Sequence, residues 1–250
     1  MPPRERTPRS KQFRSKFCEE KPTATVGLPA QPAADEGYVP VYSTVERPVL
    51  RTESVLDRRY NLPVEIHPLS SGRWDDLLSL FGSNGAYSNC WCTWWILGGK
   101  SFGETTAGDR RALLEKLAVG GEEPGLLAYV DGTPVGWCAV GPRERYAKMM
   151  SERAEIFRPD DAVGNWVINC FFVPKEQRRN GIAMSLLDAA VDFAFDRGAA
   201  SIDGYPMDDS SRGAPSLFVG TASMFERAGF VEISRVRQRP RMRRVRAHAL

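Results

Sequence analysis

The chain has 250 residues, 42% of them hydrophobic and 26% charged, which suits a globular core and argues against collagen-like, wholly disordered or coiled-coil architectures. The formal net charge of +3 is unevenly spread: residues 1–60 carry 11 basic and 8 acidic groups, residues 61–232 carry 16 and 23, and residues 233–250 carry 7 and none. The body is therefore mildly acidic, which speaks against a broad phosphate-binding face for nucleic acid.

No apolar run approaches the roughly 20 residues needed to span a bilayer. The N-terminal stretch has basic residues but no apolar centre, so a secretory signal is not expected. The five cysteines (Cys18, Cys90, Cys92, Cys138, Cys170) are an odd, sparse set, unlike a disulfide framework, and fit a reducing cytoplasm. With only His67 and His248, a three-histidine centre is excluded, and Cys90-x-Cys92 lacks two further ligands, so no metal is expected.

In chain order, residues 1–60 read as a disordered tail, with prolines recurring and no persistent apolar period. A single domain is expected over 61–250. Pro63–Leu69 alternates like a short strand. Ser70 and Ser71 then precede Trp74, Leu77, Leu78 and Phe81 at helical spacing, a capped helix stopped by Gly82. An aromatic loop follows, then a helix over 108–119. Gly125–Val130 and Pro134–Val140 flank Asp131-Gly132, a strong hairpin signal. Beyond a charged helical connector (143–157), the run Trp166–Val173 is too continuously apolar for a one-sided strand and reads as an inner one. A helix over Gly181–Arg197, a strand over Ala200–Tyr205 and a short helix over Thr221–Ala228 come next. Phe230–Val236 and Arg241–Val245 complete a strand pair with Pro240 at its turn. This order predicts an α/β fold on a mixed sheet.

The segment Asn169-Cys-Phe-Phe-Val-Pro-Lys-Glu-Gln-Arg-Arg-Asn-Gly-Ile-Ala183 carries the chemistry. A buried strand ends, a basic turn follows, and a helix begins. The amides of Asn180, Gly181, Ile182 and Ala183 at the start of the helix, the helix dipole, and Arg178 and Arg179 together read as an anion site. Gly181 and Ala183 leave room for a diphosphate to approach the backbone. The spacing is neither a Walker loop nor Gly-x-Gly-x-x-Gly.

With Val173 and Pro174 before it, Arg178-x-x-Gly181-x-Ala183 resembles the cofactor motif of the GNAT N-acetyltransferase superfamily, Arg/Gln-x-x-Gly-x-Gly/Ala. Met224-Phe-Glu-Arg-Ala-Gly-Phe230 is similar to the family's Leu-Tyr-x-x-x-Gly-Phe. The resemblance spans about residues 64–246 and is strongest over 165–235. It implies a mixed, mostly antiparallel twisted sheet splayed at the cofactor strand and flanked by helices. It also implies acetyl-CoA as donor, its pyrophosphate on 178–183 and its pantetheine along Phe171, Phe172 and Val173. The implied reaction is direct attack of an amine on the thioester, with a backbone amide near Phe172 or Val173 polarising the carbonyl.

Phe225 stands where the family usually has a tyrosine, and a phenyl ring donates no proton, so that role is not carried over. Substitutes are Ser223 on the same helix and the pair Asp203 and Tyr205, two apart and so on one strand face. That pair reads either as base and proton relay or as a buried hydrogen-bonded pair. The segment Tyr87–Trp95 is dense in aromatics, and Trp91, Trp94 and Trp95 read equally as an acceptor wall or as core. Seven arginines between 235 and 246 read as a solvated or acidic-partner-facing strand edge rather than a nucleic-acid face. The expected protein is an N-acetyltransferase acting on a small-molecule amine, monomeric or homodimeric, with no membrane partner. The alternatives are an acyl-CoA sensor without catalysis and a nucleic-acid binder using the arginine-rich end.

Overall fold

The computed structural model describes residues 56–57, 62–150, 155–157, 163–208 and 218–246. Leu56–Asp57 (β1) pair antiparallel with Leu62–Pro63 (β2). Apart from β1, the tail expected over 1–60 lies outside the described residues. Glu65–Pro68 (β3) leads through a 3-10 turn at Ser71–Arg73 into Trp74–Phe81 (α1). Ser70 makes no side-chain cap, contrary to the expected capped start, because the intervening turn makes Arg73 the N-cap residue. Gly82 (φ 60°) ends α1 as expected.

The stretch expected to be loop contains two short helices, Trp94–Leu97 (α2) and Gly99–Glu104 (α3). Ala107–Val119 (α4) opens on a capping box, with Thr106 accepting from the Asp109 amide and Asp109 accepting from that of Thr106. Gly125–Val130 (β4) and Thr133–Pro142 (β5) form the predicted hairpin, Asp131 (φ 48°) and Gly132 (φ 67°) supplying the two left-handed positions of its turn. The connector is not a helix where described; 3-10 turns form at Arg143–Arg145 and Glu155–Phe157. Asn165–Phe172 (β6), Ile182–Asp196 (α5), Ser201–Gly204 (β7) and Ala222–Arg227 (α6) follow the predicted order. Val231–Val236 (β8) and Arg239–Val245 (β9) turn at Arg237 (φ 55°) and Gln238. Pro240 is not at that turn but inside β9, opposite Arg235.

Seven strands form one sheet in the order β3-β4-β5-β6-β7-β9-β8. Every neighbouring pair is antiparallel except β6–β7. Strand alternation divides the core into two layers. Leu126, Ala128, Cys138 and Ile168 face α5, packing on Leu186, Leu187, Ala190 and Val191. Leu127, Tyr129, Trp137 and Cys170 face α1 and α4, meeting Leu77, Phe81, Leu114 and Ala118. This is the mixed, mostly antiparallel sheet expected of the chain.

Gly136 on β5 sets how closely α5 approaches. A Cβ there would stand 2.7 Å from Ile182 Cγ2 and 3.0 Å from Leu186 Cδ1. The missing side chain lets the first turn of α5 rest on the sheet.

Candidate active site

The parallel ladder between β6 and β7 runs from Asn165↔Ser201 to Ile168↔Gly204 and stops, while β6 continues to Phe172. Asn169 is the extra residue of a bulge against Ala139 and Val140, which accentuates the local twist. Beyond it the edge of β6 is open to β7. The Phe171 amide on that edge already donates to the Phe218 carbonyl at 2.6 Å. Alternation turns the Phe172 amide toward β5 and returns the Val173 amide to the open side. Of the three amides expected to serve a ligand, Val173's is the one the strand geometry leaves facing the opening.

Pro174 ends the ladder and a 3-10 turn at Lys175–Gln177 reverses the chain. Arg179 (φ 68°) and Gly181 (φ 86°) are both left-handed, and Gly181 is the N-cap of α5. The Met184 and Ser185 amides both donate to the Gly181 carbonyl. Helix geometry leaves the amides of Ile182 and Ala183 without an intrahelical acceptor. No acidic residue lies in this first turn. Arg178 is anchored by its Nε, which donates to the Val173 carbonyl at 3.0 Å, while Arg179 is exposed. Asn180 is 7% exposed, and Ile182, buried in the core, offers only its amide. The turn therefore joins unpaired amides, a helix dipole and an anchored guanidinium, the requirements of an anion cradle.

A cavity of about 600 Å³ begins at Arg178 and Ala183, runs along Phe171, Phe172 and Val173, and ends among Tyr87, Cys90, Trp94, Trp95 and Phe102. Its far wall is irregular backbone. The wall residues Ala86, Ser88 and Cys92, and their neighbours Gly85, Asn89 and Trp91, all have positive φ. Long-range contacts hold it: Arg110 Nη1 donates to the Asn89 carbonyl at 2.9 Å, and the Lys148 amide to that of Trp95 at 3.1 Å. Cys92 Sγ, from this wall, lies 3.3 Å from Cys170 Sγ on β6. Burial pushes the Cys90 thiol up to about 11; the hydrogen bond with Cys170 and burial raise that of Cys92 further above its usual range. Both stay protonated near neutral pH.

An acetyltransferase (GNAT) family model matches residues 92–230, more than half of the chain. The chain belongs to that family. Comparison with curated protein sequences finds no match. Among solved structures, the GNAT domain of S. lividans PAT is similar at 13% identity and TM-score 0.48, covering 78% of this chain and 96% of its own. PaiA N-acetyltransferase from Thermoplasma acidophilum, in complex with coenzyme A, is 14% identical at TM-score 0.44, covering 74% and 100%. The ribosomal-protein-alanine N-acetyltransferase from Brucella melitensis is 16% identical at TM-score 0.42, covering 72% and 98%.

In this GNAT acetyltransferase the three polar candidates for catalysis do not line the cavity. Asp203 is fully buried, its carboxylate accepting from Arg241 Nε (2.8 Å) and Nη2 (2.6 Å) and from Arg243 Nε (2.6 Å) and Nη2 (2.9 Å). Tyr205 is 1% exposed; its hydroxyl accepts from Arg143 Nη1 at 2.9 Å, and burial raises its pKa. The pair shares a strand face as expected. That face is packed into the interior, and Phe157 stands between Tyr205 (4.9 Å centroid distance) and Trp95 of the cavity wall (5.6 Å). Ser223 is exposed and hydrogen-bonds Thr221 at 3.2 Å.

The aromatic candidates divide. Trp94 and Trp95 line the cavity, but Trp91 does not. Its indole packs in the core on Trp74 (6.4 Å) and Phe81 (5.8 Å) because left-handed backbone at 91 and 92 turns it inward. Phe225 is fully buried against Phe171 and Phe230 and fills the space left by Gly204. Sequence reasoning missed Phe102 as a wall residue, since Gly99, Gly103 and the brevity of α3 hide any period. It also missed the inward turn of Arg241 and Arg243, expected at a solvated edge. Their only sequence signal was one buried aspartate on a neighbouring strand. Among the described residues, no group of three or more His, Cys, Asp or Glu is arranged to hold a metal ion, and no helix is long and apolar enough to cross a membrane.

Proposed function

We propose that the chain is a cytoplasmic N-acetyltransferase that moves an acetyl group from acetyl-CoA to the amine of a small molecule by direct attack. The observation that carries this reading is the continuity of one cavity from the anion cradle, past the open end of β6, to an aromatic wall. The amides of Ile182 and Ala183, with Arg178, bind the pyrophosphate. The chain of β6 runs alongside the pantetheine, where displacement of the Phe218 carbonyl frees the Phe171 amide as well. Bound acetyl-CoA supplies an activated acyl carbon and a thiol leaving group. The Val173 amide points to the carbonyl oxygen and stabilises the charge that develops there. The amine arrives from the side of Trp94, Trp95 and Phe102. A nitrogen–carbon bond forms and the carbon–sulfur bond breaks. The proton lost by nitrogen balances the one gained by sulfur.

The experiment is calorimetric titration with acetyl-CoA, paired with CoA release in the presence of amines. Gly181→Glu should abolish binding in a folded protein, because it places bulk and negative charge against the pyrophosphate and strains a left-handed residue. Unchanged affinity in that variant would overturn the reading. Phe225, which is buried and supplies no phenol, favours a second reading, an acyl-CoA sensor without transfer. Tight binding with no acetylated product from any amine would select it.

A further inference from the structure

The described wall of the cavity carries aromatic rings and thiols but no aspartate or glutamate. Its titratable groups are Tyr87, Cys90, Cys92, Cys170 and Arg178; burial keeps Cys90 a neutral thiol, and the hydrogen bond with Cys170 together with burial does so for Cys92. Cations stand at the wall or behind its rings. The Arg110 guanidinium carbon is 4.1 Å from the centroid of the Phe102 ring and Lys148 Nζ is 4.5 Å from that of Trp94, whereas Arg178, at the opposite end, is taken up by the pyrophosphate. A ligand with two ammonium groups would have to desolvate its second charge here with no carboxylate among the described lining residues and with Arg110 and Lys148 close by, a costly form of burial. A hydrocarbon body has the opposite balance, gaining by contact with Trp94, Trp95 and Phe102.

Resting on the acyl-transfer reading above, we propose that the acceptor is a monoamine with an aromatic or branched hydrocarbon body, and that the site rejects diamines, polyamines and lysine-rich peptides. The same surroundings deal with the amine proton. Desolvation and neighbouring positive charge both favour the neutral form of an amine. The cavity thus selects the nucleophilic state, and the described wall needs no carboxylate base. The ammonium proton leaves to solvent before the carbon–nitrogen bond forms, and the second proton, lost from nitrogen after attack, is the one that balances protonation of the departing sulfur.

The test compares initial rates with 2-phenylethylamine, 1,4-diaminobutane and spermidine at saturating acetyl-CoA, after calorimetry has established that acetyl-CoA binds. The expected kcat/KM for 2-phenylethylamine exceeds that for either polycation by at least about tenfold, the discrimination one hydrophobic contact can give. Ser88→Asp adds a carboxylate at an exposed, left-handed position of the wall (φ 48°), which aspartate tolerates. It should shift the ratio toward the diamine by about fivefold, the effect of one partly solvated charge pair, with acetyl-CoA affinity unchanged. Equal or better use of the diamine or spermidine by the natural protein overturns the inference and leaves the donor reading standing. So does binding of acetyl-CoA with no acetylation of any of the three amines. Failure of acetyl-CoA to bind removes the donor reading itself, and the inference with it.

Discussion

The two ends of the cavity are built by different means. At the end proposed for the donor a regular strand, a tight turn and a regular helix present main-chain groups, and the side chains of Ile182, Leu186 and Leu187 do nothing but pack. At the end proposed for the acceptor an irregular segment, much of it at positive φ, presents side chains, and its position depends on contacts with α1, α4 and residues 146–148. A ligand that binds main chain needs a local conformation, whereas one that binds side chains needs a whole neighbourhood. Mutations should therefore separate the two ends.

The largest effect is expected from the core that supports the proposed acceptor wall. Trp91→Ala removes an indole that is 6% exposed from between Trp74 and Phe81, and should cost about 3–5 kcal/mol, as large-to-small core changes do. The folded fraction should still bind acetyl-CoA within about twofold of the natural chain, since distant sites act almost independently. A tenfold loss of that affinity would show that the wall and the cradle are one cooperative unit.

Asp203→Asn tests whether the buried cluster is a scaffold or a site. The aspartate accepts four hydrogen bonds from two arginines, with Arg143 Nη1 4.0 Å away, so its neutral replacement leaves buried positive charge poorly compensated. Breaking a buried pair in this way costs about 3–5 kcal/mol. Chemical denaturation should show that loss, while kcat of the folded protein stays within severalfold. A thousandfold fall in kcat would return Asp203 to the role of proton acceptor.

The difference between the ends also governs what the amino-acid sequence reveals. The strand–turn–helix of the proposed cradle is legible because Val173, Pro174, Arg178, Gly181 and Ala183 lie within eleven residues, with Pro174 ending the strand and left-handed Gly181 opening α5. The hairpin is legible for the same reason, through Asp131-Gly132. Helix α2 and the wall residue Phe102 are not, because four- and six-residue helices show no period and their places depend on residues far along the chain. Alternation did identify Asp203 and Tyr205 as sharing a face. Which side of that face met solvent depended on Arg143, Arg241 and Arg243, as many as 62 residues away. Phe225 shows the limit of a motif: its position in the chain matched, but its ring fills the space above Gly204 rather than lining the cavity.

At the donor end, Gly136→Ala is a smaller perturbation of the same comparison. The added methyl meets Ile182 and Leu186 too closely, and relieving that contact moves the first turn of α5 outward. Overpacking of this kind costs about 1–3 kcal/mol. Because the cradle amides ride on that turn, acetyl-CoA affinity should fall while the acceptor KM does not. The reverse pattern would mean that α5 does not set the donor site.

The smallest effect is expected from Lys148→Met. Lys148 is partly buried, and its ammonium lies 4.5 Å from the centroid of Trp94, with burial and Arg239 both lowering its pKa. An attraction of this kind is worth about 0.5–1 kcal/mol at a partly solvated site, so the loss of stability should be slight. Methionine keeps an apolar contact with the ring while removing the charge. Acetyl-CoA affinity should not move, since the cradle is at the other end of the cavity. The acceptor KM should move selectively: nearly unchanged for a hydrocarbon monoamine and lower by a few-fold for a diamine, whose second charge no longer meets this cation. A uniform change for both amines would mean that Lys148 acts only by holding Trp94 in place, and that the positive field behind the wall has no part in choosing the acceptor.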